Sequence, residues 1–100
     1  MATVSVLLVL RLLGARSLKD KRAVVRSLVA RLRSRLDLSA AEVGAQDELR
    51  RAEVGFAVVS GDLATARRVA DEALRFVDQE LLGRAEVVSR TVEELVTRAP

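Results

Sequence analysis

Cysteine, histidine, tryptophan, tyrosine and asparagine are all absent from the 100 residues. Without cysteine there is no disulfide, no thiolate nucleophile and no thiolate-based zinc site. Without histidine, the side chain that most often serves as a general base near neutral pH is missing. These absences exclude most hydrolase and transferase designs, so a non-enzymatic protein without metal or cofactor is expected. Long apolar runs are also lacking. The longest, Val6 to Leu10, falls far short of the ~20 residues a membrane-spanning helix requires. No basic stretch precedes it, and its alternation is that of a strand rather than of a secretion signal. A cytoplasmic protein with no membrane association is the expectation.

What is present is a chain that is half hydrophobic and 31% charged, the composition of one globular domain spanning residues 1–100. Lysine occurs only at Lys19 and Lys21, and the other fifteen cations are arginine. The arginine bias, with no asparagine or cysteine, matches a thermophilic or GC-rich source. A net charge of +3 conceals a strong polarity along the chain. Residues 11–35 carry nine cations against Asp20 alone, an excess of +8, while the remainder holds eight arginines against thirteen acids, or −5. Charge segregated in this way points to one basic surface.

Hydrophobic periods divide the chain into six elements. Thr3 to Leu13 is almost wholly apolar and predicts a central strand. Ser17-Leu18-Lys19-Asp20 has the spacing of a capped helix start. Leu18, Val25, Leu28, Val29, Leu32 and Leu36 then recur as an apolar stripe ending near Asp37. Ala40 to Ala45 alternates weakly and predicts an edge strand. Arg51 to Ser60 alternates clearly, with Ala52, Val54, Phe56 and Val58 on one face, so the two form an antiparallel hairpin. Ser60-Gly61-Asp62 opens a second helix with Ala66, Val69, Ala70, Ala73, Leu74, Val77 and Leu81 as its stripe. Arg67/Asp71 and Arg68/Glu72 are its expected surface pairs, and Gly83 is its stop. A last strand is expected over about Ala85 to Val92, with residues 93–100 as an extension or a frayed tail.

The order β-α-β-β-α-β with right-handed crossovers is the ferredoxin-like split βαβ, an α+β fold. Its four-stranded antiparallel sheet takes the order 4-1-3-2, with both helices on one face. That topology brings the Gly14–Lys19 connection, the Gln46–Arg50 hairpin loop and the Leu82-Gly83-Arg84 turn to one end of the sheet.

Two stretches carry a family resemblance. Ser17-Leu18-Lys19-Asp20-Lys21-Arg22, continuing through Val24-Val25-Arg26-Ser27-Leu28, resembles the opening motif of the YlxP-like family, small bacterial proteins of unknown function. Glu42-Val43, Gln46-Asp47 and Arg51-Ala52-Glu53-Val54-Gly55 resemble its second motif, and the likeness extends through Val58-Val59-Ser60. The resemblance implies a ferredoxin-like fold, a bacterial cytoplasmic protein and no established activity. Such proteins are often encoded beside translation and ribosome-maturation factors, an association that points toward RNA or the ribosome. The family offers no functional residues to carry over.

Three surfaces follow as candidates. Lys19, Lys21, Arg22, Arg26 and Arg33 on the first helix form a basic face able to hold nucleic-acid phosphates, against the plainer reading of a solvated helix surface. An RNA-recognition motif shares this topology but stacks bases on sheet-borne aromatics. Here the open sheet face is expected to offer Glu42, Gly44, Glu53, Gly55 and Ala57 instead. Ser17, Gln46, Asp47 and Arg50 are placed to form a loop-end polar site for a small anionic ligand, unless Ser17 is only a cap and the hairpin only a tip. The acids Asp47, Glu48 and Glu53 are better read as solvated than as metal ligands. Leu7, Val9, Ala57, Val59 and Val88 would form an apolar patch on the open face suited to homodimerisation. The alternative to a nucleic-acid accessory protein is therefore a non-catalytic oligomeric interaction or regulatory module.

Overall fold

A computed structural model describes residues 1–100. The elements are β1 (Ala2–Leu12), α1 (Leu18–Arg35), β2 (Ser39–Gly44), β3 (Arg51–Ser60), α2 (Leu63–Glu80) and β4 (Ala85–Val96). The sheet runs β2-β3-β1-β4 with every pair antiparallel, the expected ferredoxin-like order read from the opposite edge.

β1 alternates because one of its faces is the floor of the core. Ala2, Val4, Val6, Leu8, Leu10 and Leu12 are buried, joined from β3 by Ala52, Val54, Phe56 and Val58. Both helices cover this face: α1 lies over β2 and β3, α2 over β1 and β3. The inner stripe of α2 is Ala66, Ala70, Ala73 and Val77, and such small side chains let the helix axis approach the sheet closely. No helix is long and apolar enough to cross a membrane.

The caps form as the local sequence dictates. Ser17 Oγ accepts from Asp20 N–H at 3.1 Å, and Asp20 Oδ2 accepts from Arg16 N–H at 3.1 Å. Asp62 receives the Thr65 N–H at 2.8 Å and the Thr65 hydroxyl at 2.9 Å. Gly83 turns the chain out of α2 at φ +74, a left-handed conformation that a side chain would oppose.

Local expectations are refined or corrected at several places. β4 does not stop at Val92; Glu93 to Val96 continue in register opposite Ser5 to Ala2, so of the two readings of this stretch the extension holds as far as Val96. Arg67 does not pair along its helix with Asp71 but crosses to Glu94 on β4, at 2.6 and 2.7 Å. Glu42 does not join the open sheet face. It shares the side of buried Ala40, toward α1, and Val43 takes the open side against Gly55. A bulge between Glu42 and Gly44 resets the alternation. The α1 helix ends at Arg35 with Leu36 as its C-cap, at the expected place near Asp37.

Three hydrogen-bonded links place the predicted loops together at one end. Leu12 N–H donates to Arg50 O and Leu13 N–H to Arg84 O, both at 2.8 Å, and the Lys21 ammonium donates to Ala45 O. The ladder of 11- and 12-residue strands makes the molecule long, 51 × 22 × 21 Å.

Candidate nucleic-acid interface

At about 100° per residue, four of the five cations expected on the α1 surface fall within roughly 60° of arc: Lys19, Arg22, Arg26 and Arg33. They form one ridge about 21 Å long at 1.5 Å rise per residue. Lys19, Arg26 and Arg33 are exposed and Arg22 half-exposed. Arg33 is steadied at its base, where Nε donates to Ala40 O at 2.8 Å. Arg26 and Arg33 flank a cleft of about 240 Å3 between α1 and β2, whose wall includes Val25, Val29 and Glu42. Of the nearby carboxylates, Glu42 in the cleft wall is paired with Lys21, and Asp47, 3.8 Å from Arg22, is 94% exposed, too solvated to neutralise the ridge strongly.

Lys21 is not part of this surface. It lies on the far side of the helix, in step with Val25, Leu28 and Leu32, and is fully buried. Its ammonium donates to Ala45 O and, at 3.4 Å, to Gln46 O. Glu42 Oε2 sits 3.4 Å away as counter-ion, and that buried oxygen accepts no hydrogen bond. A buried ammonium is tolerable only with partners of this kind. Lys21 therefore latches the start of α1 to the β2–β3 turn, where Ala45 adopts a left-handed φ of 57°. The i, i+4, i+7, i+11 spacing of Lys21, Val25, Leu28 and Leu32 was the sequence signal for this, and it is masked by the lysine's type.

The loop-end residues do not converge on one another. Ser17 is engaged as the α1 cap. Gln46 contributes its backbone carbonyl to Lys21, and Asp47 leans toward Arg22. Arg50 lines a shallow hollow of about 280 Å3 with Val9, Leu10, Arg11, Arg51 and Val88. Arg11 and Arg51 face each other across the β1–β3 ladder. Their repulsion is offset by Glu86, 2.6 Å from Arg11, and by Glu53 and Glu48, 3.5 and 3.8 Å from Arg51. On the open sheet face Leu7, Val59 and Val88 are exposed, while Val9 and Ala57 are half-buried. Neither phenylalanine is free to stack a base from that face, since Phe56 is buried in the core and Phe76 lies under Arg35 on α2.

The profile of the family described as "Protein of unknown function (DUF503)" matches residues 3–92, from the second residue of β1 to the middle of β4. The chain belongs to the DUF503 family. A DUF503 relative, the "Uncharacterized protein YlxP" of Bacillus subtilis (strain 168), is 34% identical over 64 residues, 64% of this chain and 70% of that protein. Among solved structures, the "De novo designed protein Foldit4" aligns with a TM-score of 0.55 over 98% of this chain and 100% of its own at 12% identity. That likeness concerns the fold alone. DUF503 membership thus fixes the family and leaves the function unassigned.

Proposed function

We propose that this DUF503 protein is a non-catalytic accessory protein that holds the phosphate backbone of RNA along the outer ridge of α1. The observation that carries this reading is the alignment of Lys19, Arg22, Arg26 and Arg33 on one side of a single helix with no carboxylate among them. A rigid helix spaces the four charges without the entropy cost of ordering a loop. Arg33 is further pre-set by its bond to Ala40 O. Cations so arranged release counterions from a nucleic acid on binding, and this supplies affinity without sequence preference. The lack of accessible aromatics on the sheet supports backbone contact over base stacking.

The test is fluorescence anisotropy with a labelled structured RNA at several salt concentrations. Four phosphate contacts predict a log K against log salt slope of about −3, taking roughly −0.7 to −0.9 per contact. Reversing two charges, Arg22→Glu with Arg26→Glu, should at least halve that slope and weaken binding at low salt. The same change at exposed Arg75 on α2 should leave both unaltered. No binding at low salt, or equal binding by the double variant, overturns the proposal.

A further inference from the structure

β4 is an edge strand whose outer flank has no partner over its whole length. From Val88 to Val96 every residue is exposed, since α2 packs over β1 and β3 rather than over this edge. Natural edges of such length are usually blunted by lysine, proline or bulges. Here there is neither lysine nor proline, and the bulge lies at the near end, between the Val9 and Leu10 pairings. Ser89 to Val96 then run in unbroken register.

The phase of the free hydrogen-bonding groups follows from the end of the ladder. Thr97 N–H donates to Met1 O and the Met1 amino group to Thr97 O, both at 2.8 Å. Antiparallel pairs alternate between bonded and non-bonded. Hence Leu95, Glu93, Thr91 and Ser89 bond inward to β1, while Arg90, Val92, Glu94 and Val96 aim their N–H and C=O groups outward.

We infer that a second copy of this chain pairs with β4 edge to edge, about a two-fold axis through Val92, to make one continuous eight-stranded sheet. An antiparallel pair related by a two-fold axis perpendicular to the sheet places residues of the same face opposite each other. The axis must therefore pass through a residue of the strand. Centred on Val92, the register sets Arg90 opposite the partner's Glu94 and Glu94 opposite the partner's Arg90. It also sets Val92 against itself, all within the unbroken stretch from Ser89 to Val96. The outward groups of Arg90, Val92 and Glu94 then form three bonded pairs, about six backbone hydrogen bonds at two per pair. Centring on Arg90, Glu93 or Glu94 stacks like charges, and centring on Thr91 sets Arg90 against Val92. Of these registers, only the one centred on Val92 sets opposite charges against each other. Arg67 is already bidentate on Glu94, so the partner's Arg90 would share that carboxylate with it.

Sedimentation velocity and light scattering on the full chain test this. The wild type should show twice the 10.9 kDa chain mass at high concentration. Val92→Pro removes an outward N–H that β1 does not use, so it should yield a folded monomer with an unchanged circular dichroism spectrum. Arg90→Glu and Glu94→Arg should each be monomeric alone, through like-charge opposition, and should form a one-to-one heterodimer when mixed. A monomeric wild type overturns the inference. So does a Val92→Pro dimer, or a pair of folded single variants that fail to combine. A dimer broken by Leu7→Asp and Val59→Asp but not by Val92→Pro overturns it in favour of packing through the open sheet face.

Discussion

Replacing Lys21 by methionine isolates the latch between α1 and the β2–β3 turn. The thioether keeps most of the buried stem's volume, so little cavity opens. What is lost is the ammonium and with it the donor to Ala45 O and Gln46 O. Glu42 is left with a buried oxygen and no counter-ion. Breaking a buried ion pair from one side costs about 3–5 kcal/mol, and each stranded acceptor about 1–3. Glu42 keeps 22% of its side chain exposed, and Gln46 is exposed, so water relieves part of the penalty. The expected loss is about 2–3 kcal/mol, which for a domain of this size lowers Tm by roughly 10–20 °C. Far-ultraviolet circular dichroism during heating and urea titration reads it, since there is no tryptophan to report fluorescence. Glu42→Gln alone should cost about 1 kcal/mol or less, because the two carbonyls still hold the ammonium. The double variant should lose less than the sum of the singles, because without the ammonium the carboxylate's burial is only a penalty. A Lys21→Met protein within about 0.5 kcal/mol of wild type would refute the latch. A Glu42→Gln cost exceeding that of Lys21→Met would show that the carboxylate, not the turn carbonyls, is the main partner.

Two further outcomes follow from single contacts. Ala45 occupies a left-handed conformation that costs a side chain about 1–2 kcal/mol; glycine regains part of this against its greater unfolded-state entropy. Ala45→Gly should therefore raise stability by about 0.5 kcal/mol in urea titration, and a clear loss would show that the φ is not strained. The hydrogen bonds from Arg67 hold the Glu94 carboxyl below its usual range, so the pair's contribution is complete above the unfolded-state value near 4 and fades as pH falls through the lower folded-state value. Glu94→Gln should flatten the loss of Tm on acidification below about pH 4, and an unchanged acid limb would show that the pair adds nothing.

Elements with strong periodicity were legible from sequence alone: the bounds of β3, both helix caps and the Gly83 exit follow from residue type and spacing. Where contacts across the fold decide, the sequence was silent or misleading. Glu42 belongs to a strand of alanine and glycine with almost no apolar contrast, so only its attraction to Lys21 shows which face it takes. Lys21 itself reads as surface by type and as core by position. The sequence leaves the end of β4 open because the polar stretch Thr91-Val92-Glu93-Glu94 carries no pattern of burial, and only its pairing with the start of β1 sets it. The basic ridge survived in better order than charge counting gave it, because removing Lys21 leaves four cations in line.

The place of β1 at the centre of the sheet has a temporal side. Its outer flank pairs with the last strand of the chain, Ala2 opposite Val96 and Leu12 opposite Ala85. During synthesis β1 is made before β3, which becomes able to cover one flank only after Ser60 has been added. At roughly 5–20 residues per second, about 2–7 s more pass before residue 96 is polymerised. Throughout that interval the most apolar strand of the molecule is itself an edge, interrupted only by Thr3, Ser5 and Arg11. The finished sheet also joins residues nearly a full chain length apart, and such high contact order slows folding. The nascent chain thus meets its greatest risk of wrong strand pairing before α2 and β4 are in reach, and completion of β4 ends that risk for β1.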